Sequence, residues 1–226
     1  TLATRPAAYL LCSPHNPNGT VHTEAELTAV VAACAENDVP LIVDEIHAPL
    51  VDPGVRFTSA LSVPGADHVI VVTSAGKAWN LAAFKAGLII GGPGTADVLN
   101  GLPPLARQST GHFGAMLHAA ALREAQDWVD ELMVEVAANK RLLSHLLAQR
   151  VPDVAYEPAE GTYLAWVDCT ALGLDDPAGH FLAHGRVAFS PGRNFGGDHS
   201  RWLRINLAAS PGMITEAVDR MAAALA

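Results

Sequence analysis

Apolar residues in the first half of the chain fall into short runs, Tyr9-Leu10-Leu11-Cys12, Leu41-Ile42-Val43 and Val69-Ile70-Val71-Val72, each bounded by polar or turn-forming residues. Runs of that length and composition predict buried strands. Between the first two, Leu27, Val30, Val31 and Cys34 recur at spacings of three and four, which predicts a helix with this stripe against a sheet. Thr23 and Glu26 have the spacing of a capping box and fix its start, and the pattern ends near Asn37. Strands alternating with helix argue for a parallel α/β sheet. A further strand is expected at 87–91. From 111 to 150 the pattern is helical, with a break at Gln126-Asp127 and Asp127 placed to cap the second piece. Val129, Leu132, Met133, Val136, Leu143, Leu146 and Leu147 form its packing stripe. Beyond Pro152 the elements shorten: strands at 154–156, 162–168, 187–190 and 202–207, helices at 177–184 and 211–224, an α+β pattern.

Each early strand runs into residues that carry chemistry. After the first comes Ser13-Pro14-His15-Asn16-Pro17-Asn18-Gly19, where two prolines and a glycine fix a turn and hold Asn16. The second ends in Asp44-Glu45-Ile46-His47, and the third leads into Thr73-Ser74-Ala75-Gly76-Lys77-Ala78-Trp79-Asn80. Ligands of open α/β sheets gather outside the carboxyl ends of the strands, so an amide, an acid and an amine are expected at one edge. A lysine in a small-residue turn can be shielded from water, and the neutral amine so favoured attacks an aldehyde carbon. The trio suits a pyridine aldehyde: Lys77 for the carbonyl carbon, Asp44 for the ring nitrogen, Asn16 for the phenolic oxygen. Each residue alone has a plainer reading: a solvated lysine, a cap after a strand, a self-capped Asx turn.

Taken in order, these motifs resemble the fold-type I pyridoxal-phosphate enzymes of the class I/II aminotransferase family. Within it the Ser-Pro-His-Asn-Pro-x-Gly and Asp-Glu-Ile-His patterns are similar to those of bacterial cystathionine β-lyase-like C–S lyases. The resemblance extends to Trp202-Leu203-Arg204-Ile205-Asn206. It implies an α/β fold: part of a large cofactor domain with a mostly parallel sheet over residues 1–125, 87–91 being its antiparallel member, then a linking helix and small α+β domain over 126–226. It implies that Lys77 holds pyridoxal 5′-phosphate and serves as general base, that Asp44 pairs with the ring nitrogen, and that Asn16 and His47 contact the phenolic oxygen. Ser74 and Lys85 would bind the phosphate, Arg204 the substrate α-carboxylate, and Tyr163, in Gly161-Thr162-Tyr163, would approach the substrate. Rivals stand beside two of these: an ordinary buried histidine for His47 and a structural salt bridge for Arg204. Gly76 departs from the serine usual before the catalytic lysine, which puts one phosphate contact in doubt.

Composition narrows the field. With 50% hydrophobic and 16% charged residues, a chain of 226 can bury a sizeable core. A net charge of −9 argues against nucleic acid as a partner. Three cysteines form a sparse, odd set that fits a reducing compartment, and with the resemblance points to the cytoplasm. Cys12, His15, His22 and His47 do not form tight ligand pairs, so no metal is expected. No apolar run reaches membrane-spanning length. Family members are longer, with a glycine-rich phosphate turn and a ring-stacking aromatic in a segment that would precede Thr1. The chain therefore resembles an N-terminally incomplete enzyme, and residues 1–226 alone are expected to turn over weakly or not at all.

The resemblance implies β-elimination from cystathionine or a related cysteine S-conjugate, by a homodimer when intact. Two alternatives share most of the same residues: an aminotransferase acting on an amino acid, and a non-catalytic module that keeps the fold for binding.

Overall fold

A computed structural model describes residues 2–226. The chain forms two compact units: residues up to His15 with Thr20–Glu131, and Asn16–Gly19 with Leu132–Ala226. Among the described residues no helix is long and apolar enough to cross a membrane.

The first unit is built on β1 (Tyr9–Cys12), β2 (Leu41–Asp44), β3 (Val69–Thr73) and β4 (Leu88–Gly91), side by side in that order. The first three are parallel and β4 is antiparallel to β3. Cys12 pairs with Asp44 and Asp44 with Val72, so the parallel strands finish level at their carboxyl ends. Leu41 and Val43 of β2 and Val69 and Val71 of β3 share a core with Leu27, Val31 and Cys34 of α1 (Glu24–Glu36). Each such buried aliphatic contributes roughly 1.5–3 kcal/mol. The capping box is formed, with Glu26 N–H donating to Thr23 Oγ1 at 3.2 Å and Thr23 N–H donating to Glu26 Oε2 at 2.8 Å.

The helical stretch breaks at Ala125, between α4 (His112–Glu124) and α5 (Gln126–Arg150). Asp127 lies inside the first turn of α5 rather than capping it, where its charge still favours the positive end of the helix dipole. Two short helices, α2 (Ala96–Asn100) and α3 (Pro104–Gln108), had no apolar periodicity to announce them.

In the second unit β5 (Leu164–Asp168), β6 (Ser190–Pro191) and β7 (Trp202–Asn206) form an antiparallel sheet in the order β5-β7-β6. Its inner face meets Leu143, Leu146 and Leu147 of α5 and Ile214, Val218 and Met221 of α7 (Pro211–Leu225). The strand expected at 154–156 is one bridge, Ala155 to Asp168. That at 187–190 shrinks to Ser190–Pro191, the two residues that pair with Arg204 and Leu203 of β7. The helix expected at 177–184 is α6 (Pro177–His180) followed by a wider turn, Phe181–Gly185. There a Cβ on Gly185 would lie 2.7 Å from the Arg220 carbonyl oxygen, so only glycine admits the approach.

Candidate active site

In the first unit, hydrogen bonds continue past the ends of the parallel strands. Ser13 N–H donates to the Asp44 carbonyl and Glu45 N–H to the Val72 carbonyl, both at 2.9 Å, and Thr73 Oγ1 donates to the Glu45 carbonyl at 3.2 Å. Asp44 and the turn that carries Lys77 therefore leave the sheet at one edge. Asp44 is half-buried, and its Oδ1 accepts from Ile46 N–H at 3.0 Å. Glu45 is buried instead, its Oε1 accepting from Ala60 N–H at 2.7 Å and from the Ser59 hydroxyl at 3.0 Å. Burial pushes the Glu45 carboxyl up and those two bonds oppose the shift, so this acid braces the loop. His47 is buried, and its carbonyl accepts from Leu50 N–H at 2.8 Å.

The Lys77 turn is fixed by its neighbours. The Ser74 hydroxyl accepts from Gly76 N–H and donates to the Ala86 carbonyl, both at 2.9 Å. This bonding makes Ser74 a shaper of the turn. Gly76 stands where a Cβ would lie 3.0 Å from Ser74 Oγ and 3.3 Å from Ala82 Cα, so a serine there would need its neighbours to give. Two indoles clamp the far side: Trp79 Nε1 donates to the Ala125 carbonyl at 2.8 Å and Trp128 Nε1 to the Ala78 carbonyl at 3.1 Å. Ala75 and Ala78 are buried while Lys77 is exposed. The sequence suggests a lysine shielded from water; among the described residues it is exposed instead. Lys85 is also exposed, in the left-handed region at φ 52° after the turn Ala82–Phe84.

His118 of α4 reaches the same turn and was missed in the sequence, where it sits among apolar helix residues. It is buried, its Nδ1 accepts from Ala75 N–H at 3.4 Å, and its Nε2 has no partner among the described residues. Accepting at Nδ1 requires the neutral ring, and burial lowers its pKa from the ordinary 6.5. Below 6.5 the unfolded chain takes up a proton that the folded form refuses, so stability falls as pH drops through that value. His22, also lowered chiefly by burial, adds a contribution of the same sign. His118→Asn, which keeps an acceptor near Nδ1 but does not titrate, is expected to reduce the loss of urea midpoint between about pH 7.5 and about pH 5.5. An unchanged difference would remove His118 from this account.

In the second unit, Leu203 and Ile205 of β7 and Ala165 and Val167 of β5 are buried. Arg204 and Trp166, partners in the ladder, stand on the other face. Arg204 Nη1 donates to Asn16 Oδ1 at 2.9 Å and Nη2 to Ser190 Oγ at 3.4 Å, with the guanidinium 4.6 Å above the Phe195 ring. Trp166 stacks on Trp202 at 5.3 Å and meets Phe195 edge-on at 5.4 Å, giving the face an apolar wall. Burial pushes Arg204 down and the Tyr163 hydroxyl up, and each opposes the other's shift, which places Tyr163 within the field of the guanidinium. Among the described residues Arg204 has no carboxylate partner, which disfavours a structural salt bridge. Because Asn16 Oδ1 is taken by Arg204, its Nδ2 is the group left to donate. Ser190 and Phe195 carried no sequence signal, since only the ladder and the following loop bring them to Arg204.

A mostly parallel sheet with an acid and a lysine turn at its carboxyl edge, and a small antiparallel unit bearing an arginine, define a known class. The family model for aminotransferase class I and II matches residues 3–221, and the chain belongs to that family. A provisionally named cystathionine beta-lyase of Mycobacterium leprae (strain TN) is 42% identical over 232 residues, covering 96% of this chain and 58% of the relative. The cystathionine beta-lyase of Corynebacterium glutamicum is 29% identical over 219 residues, covering 96% and 59%. The crystal structure of a provisionally assigned PLP-dependent beta-cystathionase from Corynebacterium diphtheriae superposes with a TM-score of 0.93 at 32% identity, covering 99% of this chain and 60% of that one. The chain thus spans about 58% of the length of the curated relatives it matches.

Proposed function

We propose that this chain forms the greater part of a pyridoxal 5′-phosphate-dependent C–S β-lyase, acting on cystathionine or a related cysteine S-conjugate. The observation that carries the reading is the level ending of β1, β2 and β3, which delivers Asp44 and the clamped Lys77 turn to one edge of the sheet. The lyase outcome is favoured over transamination by the relatives: those named for cystathionine beta-lyase reach 42% identity, while an aspartate aminotransferase of Musicola paradisiaca is 27% identical.

The residues fit the cofactor's chemistry. A protonated ring nitrogen needs a carboxylate, and Asp44 has engaged only Oδ1 among the described residues. A phenolic oxygen needs a donor, which Asn16 Nδ2 supplies once Oδ1 is held by Arg204. An aldehyde needs a reachable amine, and Lys77 is exposed. Lys85 offers a point charge to the phosphate, whereas Ser74 acts chiefly by setting the turn. His47 stays a candidate contact by its place after Asp44.

Bound pyridoxal phosphate supplies an electron sink for the pair left when a substrate Cα proton is removed. The chain does the rest. Arg204 fixes the substrate α-carboxylate by charge-assisted hydrogen bonds, with Tyr163 beside it. Asp44 would offer its carboxylate to a protonated ring nitrogen. Lys77 takes the Cα proton as general base. The Cα electron pair would then form a Cα–Cβ double bond as the Cβ–S bond breaks, releasing the thiolate, and hydrolysis of the enamine product would give pyruvate and ammonia. The active assembly in this reading is a homodimer working in the cytoplasm on a small amino acid.

The deciding experiment incubates the intact protein with cystathionine, with and without a keto acid. Pyruvate and free thiol in equal amounts without keto acid is the expected result. Strict dependence on the keto acid would make the protein an aminotransferase, and no product together with no borohydride-trapped adduct at Lys77 would make it a binding module.

A further inference from the structure

Lys140 lies at 1% exposure in the middle of α5, between Val136 and Leu143 on the helix's apolar stripe. Burying an ammonium is costly, and a leucine or methionine would fill the same space without that cost. What a lysine adds is a directed donor: Nζ donates to the Ala159 carbonyl at 2.7 Å. The segment so anchored packs on the turn that carries Asn16. Gly161 N–H donates to the Gly19 carbonyl at 2.9 Å, and a Cβ on Gly19 would lie 2.6 Å from Ala159 Cβ and 2.7 Å from the Gly161 carbonyl oxygen. Asn16 in turn accepts from Arg204. On its other side the segment continues through buried Thr162, at φ 64°, to Tyr163.

The preceding residue serves the opposite flank. Asn139 Nδ2 donates to the Leu207 carbonyl at 3.0 Å and to the Ala209 carbonyl at 2.9 Å, just past the end of β7, the strand that bears Arg204. Two consecutive polar residues in an otherwise apolar stripe thus hold the two stretches of backbone that frame one guanidinium.

We infer that Lys140 is a positioning residue for the carboxylate clamp, fixing residues 159–163 and the Asn16–Gly19 turn so that Arg204 is presented in one orientation. The inference rests on the reading of Arg204 as the group that binds the substrate α-carboxylate.

The test uses the intact, cofactor-loaded protein with Lys140→Met, which keeps the packing and removes the donor, and Lys140→Arg, which restores one. Lys140→Met is expected to raise the KM for an amino-acid substrate, and its dissociation constant by spectral titration, about tenfold, while kcat stays within about threefold. Binding of the matching amine without its α-carboxylate should be unchanged, and Lys140→Arg should recover most of the loss. Borohydride trapping at Lys77 should equal wild type. Equal weakening toward the acid and its decarboxylated analogue, or no weakening, would overturn the proposal. Should Lys140→Met fail to accumulate, Lys140→Gln, too short to reach Ala159, is read by the same criteria. Absence of trapping at Lys77 in wild type would instead overturn the functional reading. In that case a crystal structure of Lys140→Met decides: the Arg204–Asn16 bond must be lost, and its retention refutes the inference.

Discussion

Lys77→Ala in the intact protein is expected to abolish borohydride trapping and to slow thiol release by at least about 10²–10⁴-fold, the usual worth of a positioned general base. Lys77→Arg should be equally inactive, because guanidinium has no neutral form near pH 7 to attack an aldehyde or take a proton. Neither change should disturb the fold. Lys77 is exposed, and the turn is held by bonds from Trp79, Trp128, Ser74 and the Ala75 amide, so the urea midpoint should move by no more than about 0.5 kcal/mol equivalent. Inactivity with an unchanged midpoint separates chemistry from architecture. A rate within tenfold of wild type would show that Lys77 is not the base.

Gly19→Ala is expected to be strongly destabilising, because a positive φ and a backbone clash fall on the same residue. At φ 75° a residue with a side chain costs about 1–3 kcal/mol. The new Cβ would also stand 2.6 Å from Ala159 Cβ and 2.7 Å from the Gly161 carbonyl oxygen, and overpacking of that kind costs about 1–3 kcal/mol more. Together these take a large share of a total stability of about 5–15 kcal/mol. Gly54→Ala is the control: its φ is 87° but nothing lies within 4 Å of the built Cβ, so it carries the conformational cost alone. The two variants compared by urea denaturation should differ by the clash, with Gly19→Ala the weaker. Equal losses would mean that the turn yields without cost. Because Asn16 shares the turn, the surviving folded Gly19→Ala should also bind amino acids less tightly.

How much of this was legible depends on the range of the interaction. The strands at 41–44 and 69–73 are local, since an apolar run ending in a turn has few other options, and the runs that announce them match to within a residue. The capping box was likewise a matter of three residues. Asp44, Lys77 and Arg204 could be named because they end or interrupt such runs. The residues that hold them could not. Ser190 and Phe195 reach Arg204 only through a ladder and a loop, and His118 meets Ala75 from 43 residues away. Lys140 was hidden in a different way. The apolar stripe of α5 continues straight through it, so its place was set by periodicity while its residue type argued for solvent. The small strands failed for want of length: at Ser190–Pro191 and Ala155 the pairing is supplied by β7 and by Asp168, not by local preference.

The tryptophans have an optical consequence. The chain has four, and they fall into two pairs, Trp79 with Trp128 bracketing the Lys77 turn and Trp166 stacked on Trp202 in the sheet of Arg204. Tryptophan emission from residues 1–226, excited selectively at the red edge, is therefore drawn from these two regions. Exchanging either pair for phenylalanine would leave emission that follows the other region alone, a native gauge that needs no attached dye.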